Sequence, residues 1–310
     1  MTLAFVFPGQ GSQSVGMLAD LARQFPEVVS TFQQASAALG YDLWQLTQNG
    51  PVEQLNETDK TQPAMLAAGV AVWRVWHAQG GAKPQFLAGH SLGEYTALVC
   101  AGALEFGDAV RLVADRGRFM QAAVPAGQGA MAAILGLEDA VVRAVCQEAA
   151  GNEVVSAVNF NSPGQVVIAG NAAAVQRAME LAKQKGAKRA LPLPVSVPSH
   201  CALMLPAAER LAQRLAEIKI QMPQIPVLNN VDVACPQDPA VIRAALVRQL
   251  HSPVRWVETV SWLATQGVRI AVEAGPGKVL AGLNKRIVKE LETYSVYDGS
   301  TLSQALAAAK

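Results

Sequence analysis

Charge of either sign is scarce in this chain. Only 16% of its 310 residues are Asp, Glu, Lys or Arg, and the two signs nearly cancel to a formal net charge of +1. A nucleic-acid binder usually carries a basic excess, so that class is not expected. Aromatic residues are also few, at 5%, while Ala, Val and Leu abound. That balance favours helices packed on a buried parallel sheet over an all-β sandwich. The four cysteines, Cys100, Cys146, Cys201 and Cys235, lack the short spacing of a zinc site or redox motif. A disulfide framework is not expected at this size, and a reducing cytoplasm is the simplest setting. No Lys or Arg precedes Arg23, and Pro8-Gly9 interrupts the first apolar run, so no export signal is expected. No charge-free apolar run approaches the roughly 20 residues of a membrane helix. The stretch 95–104, for instance, lies between Glu94 and Glu105.

What is present in quantity is apolar side chain, 51% of the residues. That excludes a disordered chain and supplies a sizeable core, either as one large domain or as one domain carrying a smaller insert. Residues 3–7 read as a buried strand entering the loop Pro8-Gly9-Gln10-Gly11-Ser12-Gln13. Helical patterns follow to residue 39 and again over 61–79, where Gly80-Gly81 ends the second. Residues 86–88 then lead into Gly89-His90-Ser91-Leu92-Gly93, with helices expected over 94–100 and 107–123.

After Pro125-Ala126-Gly127 the rhythm changes. Strands are expected at 130–135, 154–160, 165–169 and 190–197, with helices at 139–149 and 173–185. The order βαββαβ is that of a ferredoxin-like unit, here an insert over about 127–197. Beyond it a helix is expected from His200 to about 218, with further sheet strands at 226–231 and 268–273.

Gly89-His90-Ser91-Leu92-Gly93 matches G-x-S-x-G and has a strand before it and a helix after it. A serine on so sharp a turn needs small neighbours. The turn presents the hydroxyl at a helix N-terminus, where free N–H groups favour developing negative charge. The plain alternative is an N-cap serine between packing glycines. A nucleophilic serine needs a base, and the chain has four histidines. His77 lies near a helix end, His90 adjoins the serine and His251 sits in a connection. His200, at the start of an expected helix, is the better placed, with His251 the alternative. No acidic third member stands in a recognisable motif between Ser91 and His200, so a neutral acceptor is a possible support for the imidazole.

The helix over 107–123 carries Arg111, Arg116 and Arg118. Positions three and four away are neighbours on a helix. For Arg116 these are Leu112, Val113, Phe119 and Met120, so it faces the core, while Arg111 and Arg118 reach solvent or Asp115. A buried guanidinium needs an anionic partner. Two readings stand: an internal ion pair, or a clamp for a substrate carboxylate.

Several segments in order resemble the malonyl-CoA:acyl carrier protein transacylases of bacterial fatty acid synthesis. They are Phe5-Val6-Phe7-Pro8-Gly9-Gln10-Gly11-Ser12-Gln13, Gly89-His90-Ser91-Leu92-Gly93-Glu94, Arg116-Gly117, Asn159-Phe160-Asn161-Ser162-Pro163-Gly164-Gln165, Pro198-Ser199-His200 and Gly275-Pro276-Gly277-Lys278. The resemblance implies an α/β-hydrolase-like large domain over 1–126 and 198–310 with a ferredoxin-like subdomain over 127–197. It implies that Ser91 carries the acyl group, that His200 is its base, and that the backbone carbonyl of Gln249 holds the imidazole. It puts the backbone N–H groups of Gln10 and Leu92 in an oxyanion hole, Arg116 on the malonyl carboxylate and Asn161 in the cleft wall. It implies malonyl-CoA and acyl carrier protein as partners, no metal, no resident cofactor, no membrane and no nucleic acid. A monomer is expected. Lys185, Lys188, Arg189, Lys285, Arg286 and Lys289 either meet the acidic carrier or are solvated helix faces.

A serine esterase or thioesterase using the same elbow is the enzyme alternative, and a docking module without chemistry is the non-enzyme one. Nucleotide binding is disfavoured. Gly9-Gln10-Gly11 is followed by Ser14 where a third glycine belongs, and Gly275-Pro276-Gly277-Lys278 lacks the remainder of a phosphate-binding loop.

Overall fold

A computed structural model describes residues 2–195 and 197–310. Its strands, in chain order, are β1 (Thr2–Phe7), β2 (Phe86–Gly89), β3 (Gly129–Leu135), β4 (Val155–Ser162), β5 (Gln165–Asn171), β6 (Arg189–Pro192), β7 (Val227–Leu228), β8 (Val268–Ala274) and β9 (Glu292–Val296). One sheet, ordered β7-β2-β1-β8-β9, is wholly parallel. The other, ordered β4-β5-β3-β6, is antiparallel.

Strand β1 shows why the parallel sheet is buried on both faces. Leu3, Phe5 and Phe7 point one way, and Ala4 and Val6 the other; all are buried. Phe5 meets Trp73 and Trp76 of the helix Thr58–Ala78 edge-on, at ring separations of 5.1 and 5.2 Å. Ala4 and Val6 pack with Trp256, Val260 and Leu263 of the helix Trp256–Thr265. A strand covered on both sides reads as a continuous apolar run, which is the pattern of residues 3–7. The carboxyl ends of β1 and β2 lie side by side, with Phe7 opposite Gly89. From β1 the sheet grows in both directions, to β2 and to β8. Crevices of open α/β sheets form at the carboxyl edge beside such a reversal.

The antiparallel sheet carries the helices Asp139–Ala150 and Ala172–Gln184. Its core alternates along the strands, with Ala132, Ile134, Val166 and Ile168 facing Val142, Val145, Val175 and Ala178. The expected order of elements is present, with one strand shortened. Of the run expected over 190–197, the strand ends at Pro192, and one further bond, Leu193 N–H to Met131 O at 2.9 Å, follows it. Pro192 and Pro194 lack ladder donors, and residue 196 lies outside the described residues. The edge strand β4 reaches the parallel-sheet region: Phe160 N–H donates to Val254 O at 3.0 Å, and Val254 N–H to Val158 O at 2.8 Å.

Two further boundaries differ from expectation. His200 does not open a helix. It has φ 66°, and the helix begins at Leu205 after a short 3-10 turn, Ala202–Met204. Strand β7 has two residues rather than six. Strand β9 and the helices Pro239–Gln249, Val279–Ile287 and Gly299–Ala308 were not legible from apolar periodicity. Strand β9 reads Glu-Thr-Tyr-Ser-Val and is mostly half-exposed at a sheet edge, so it carries little apolar signal. No described helix is long and apolar enough to cross a membrane.

Candidate active site

Ser91 sits between β2 and the helix Gly93–Cys100 with φ 51°, a left-handed backbone unusual for a non-glycine residue. The two glycines of the motif make the turn possible. A Cβ on Gly89 would lie 1.8 Å from the Gly93 carbonyl carbon, and one on Gly93 would lie 2.0 Å from the Phe7 oxygen. The elbow is tied at both ends. Ser91 N–H donates to Asn230 Oδ1 at 2.7 Å, and Asn230 Nδ2 donates to Gly89 O at 2.7 Å. The Ser91 carbonyl accepts from Gln249 Nε2 at 3.0 Å.

Ser91 Oγ lies 2.8 Å from His200 Nε2. The other ring nitrogen, Nδ1, lies 2.7 Å from the backbone oxygen of Gln249. A carbonyl only accepts, so Nδ1 carries the proton and Nε2 is left to accept from the serine. His200 N–H donates to the next carbonyl, Leu250 O, at 2.9 Å. Two successive carbonyls thus fix both the backbone and the ring of a residue in left-handed conformation. Burial, reinforced by the Arg116 charge, pushes the imidazole down to about 3, against the Gln249 hydrogen bond. The ring is therefore neutral and able to accept a proton. His251 is not bonded to the serine. His90 points away from it, to Asn161 Oδ1 at 2.8 Å. His77 Nδ1 bonds Trp73 O within its own helix.

Arg116, on the helix Phe106–Ala123, is 1% exposed. Its Nη1 donates to Gln62 Oε1 at 2.8 Å. Its Nη2 donates to Gln249 Oε1 at 3.0 Å and to Ser91 Oγ at 3.3 Å. Its Nε is buried without a partner. Among the described residues no carboxylate forms an ion pair with it, so the internal ion pair is not the arrangement found. Arg111 and Arg118 pair instead with Asp108 and Asp115.

The expected donors of an oxyanion hole follow β1 and the serine. The backbone N–H groups of Gln10 and Leu92 donate to no acceptor among the described residues. Asn161, at the end of β4, is largely buried beside His90. Residue-type patterning missed Gln62, Glu94 and Asn230 as parts of this cluster. The one available signal was Glu94, an acidic residue inside an apolar helix. No group of three or more His, Cys, Asp or Glu that could hold a metal occurs among the described residues.

An elbow serine bonded to a neutral imidazole, at the carboxyl edge of a parallel sheet, is the arrangement of serine acyl-group enzymes. The chain belongs to the acyl transferase domain family, whose profile matches residues 4–301. It is 63% identical to the malonyl CoA-acyl carrier protein transacylase of Salmonella typhimurium over 98% of both chains. The solved transacylase of the same description from Coxiella burnetii superposes with a TM-score of 0.99 at 54% identity, covering 100% of this chain and 98% of that one. A malonyl-transacylase solved in complex with its type II PKS acyl-carrier protein gives 0.98 at 58% identity, covering 99% of this chain and 100% of that one.

Proposed function

We propose that the chain transfers a malonyl group from malonyl-CoA to the phosphopantetheine thiol of acyl carrier protein, in two half-reactions through an ester on Ser91. The observation that carries this reading is the Arg116 guanidinium. It is buried without a carboxylate partner and shares the Ser91 hydroxyl with His200. A buried cation held by two neutral amides and a hydroxyl, with no carboxylate bonded to it, is open to an anionic partner. The free carboxylate of a malonyl group supplies it, and a planar fork binds it at two points.

In the first half-reaction His200 Nε2 takes the Ser91 proton as Oγ attacks the thioester carbon. The backbone N–H groups of Gln10 and Leu92 receive the oxyanion. The carbon–sulfur bond breaks, and the coenzyme A thiolate leaves with the imidazolium proton. In the second, the carrier's thiol gives its proton to His200 and attacks the malonyl ester, and Ser91 regains the proton as it leaves. Arg116 aligns the acyl group in both directions. His90 holds Asn161 through Oδ1, which leaves the amide Nδ2 as the donor Asn161 can offer a substrate. Oxidation states do not change, so no resident cofactor is assigned.

The same reading divides the chain into an α/β-hydrolase-like part over 1–126 and 198–310 and a ferredoxin-like part over 127–197, with the site where they meet. The sheet order β4-β5-β3-β6 and the βαββαβ succession support the second description.

Intact-protein mass spectrometry after malonyl-CoA tests the proposal. One malonyl adduct is expected on the wild type and none on Ser91→Ala, with discharge to a carrier thiol faster than hydrolysis. Full labelling of Ser91→Ala overturns the assignment of the nucleophile. Release of free malonate in place of thiol transfer makes the chain a thioesterase.

A further inference from the structure

The chemistry above leaves Glu94 idle, yet its carboxyl is 2% exposed and lies against the site. Oε2 accepts from Gln249 Nε2 at 2.8 Å and from Asn230 N–H at 2.9 Å. Gln249 joins the cluster through both side chain and backbone. Its Nε2 also donates to Ser91 O at 3.0 Å, its Oε1 accepts from Arg116 Nη2 at 3.0 Å, and its backbone oxygen faces His200 Nδ1 at 2.7 Å. A primary amide can be seated two ways round, and its neighbours decide which. A guanidinium only donates, and a backbone carbonyl and a carboxylate only accept. Glu94 and Ser91 O on one side and Arg116 on the other therefore demand the same orientation.

We propose that Glu94 is a positioning residue: by seating the Gln249 amide it sets the Arg116 guanidinium for an acidic acyl group. This rests on the malonyl-transfer reading above. The device tolerates titration of the carboxyl. Burial raises it to about 7, against the pull of Gln249, Asn230 and Arg116 and with a smaller push from Asp232. Oε1 accepts no hydrogen bond among the described residues. Glu94 also lines a cavity of about 10 Å³ with Leu98, Val227 and Ile242, room for one water. A proton on Oε1 leaves Oε2 an acceptor.

The test measures Ser91 acylation by malonyl-CoA and by acetyl-CoA, by rapid quench and intact mass. It compares the wild type with Glu94→Ala, Glu94→Gln, Gln249→Leu and the double variant Glu94→Ala/Gln249→Leu. Glu94→Ala is expected to lower the malonyl-to-acetyl ratio about tenfold, since only the malonyl transition state uses the seated guanidinium. Glu94→Gln keeps a carbonyl acceptor in the Oε2 place and restores most of the ratio. Gln249→Leu lowers the ratio like Glu94→Ala, and the double variant falls no further, because both act through one amide. Equal losses on the two acyl groups, failure of Gln to rescue, or additive losses in the double variant overturn the proposal. Should Glu94→Ala not fold, an unchanged ratio in Gln249→Leu overturns it as well. A wild type that acquires no malonyl group rejects the transferase reading, and the inference with it. A wild type that loads normally beside variants of unchanged ratio rejects the role of Glu94 alone.

Discussion

The two sheets differ in where they keep their polar groups. Across residues 127–197 the buried polar side chains among those described are Asn161 and Ser162, both at the end of β4. No described non-glycine residue there has a left-handed backbone. Around the parallel sheet Gln62, Glu94, Arg116, His200, Asn230 and Gln249 are buried together, and Ser91 and His200 both take positive φ. The antiparallel sheet packs an apolar layer of strands against helices, its register shifting only along β4. The parallel one gives up regularity at its carboxyl edge, where local rules are broken in favour of a reactive arrangement.

Substitutions on the two sides should therefore separate chemistry from stability. The largest effect belongs to His200→Ala, expected to slow Ser91 acylation by about 10²- to 10⁴-fold, the usual share of a general base. In the wild type, acylation followed from pH 8 to pH 5 should show no loss at the ordinary histidine value of 6.5, since burial and Arg116 hold this imidazole near 3. The same displacement makes stability pH-dependent. Between 6.5 and about 3 the unfolded chain binds a proton that the folded one does not. His200's contribution is thus complete above 6.5 and is lost as pH falls toward 3. An acid limb centred near 6.5 in the acylation profile would contradict the buried, neutral imidazole.

A smaller effect on rate, with a clear one on stability, is expected across the boundary. Ile168→Ala, in the middle of β5 and fully buried, should cost about 2–5 kcal/mol of unfolding free energy. It should change the acylation rate less than about threefold, because no part of the serine–imidazole pair touches that core. Denaturant unfolding and rapid-quench acylation of the same preparation check both halves. A loss of rate as large as that of His200→Ala would erase the distinction between the sheets.

The same contrast explains what could be read from residues alone. The antiparallel unit was legible nearly to the residue, because strand and helix periods alternate cleanly through Ile134, Val142, Val166 and Val175. Its largest departure is the strand expected past Pro192, where apolar residues run through prolines; β4 and β5 also run about two residues beyond their expected ends, to Ser162 and Asn171. Ser91 was legible from its glycines, and Arg116 from its apolar neighbours three and four positions away. Placement favours His200 over His251 only modestly, and the family resemblance strengthens that choice. What selects His200 is a pair of carbonyls, Gln249 O and Leu250 O, 49 and 50 positions along the chain. No local pattern encodes that meeting. Glu94, Gln62 and Asn230 escaped for the same reason: each works through two or more long-range hydrogen bonds that topology, not periodicity, brings about.

The central claim is that a buried guanidinium with no carboxylate bonded to it makes this elbow serine selective for an acidic acyl group. The direct measurement is Ser91 acylation in Arg116→Ala, with malonyl-CoA and acetyl-CoA compared side by side by intact mass. The account predicts that malonyl loading falls by about two orders of magnitude or more while acetyl loading changes far less. Equal loss on the two substrates would mean that Arg116 only supports the fold, and would contradict the account.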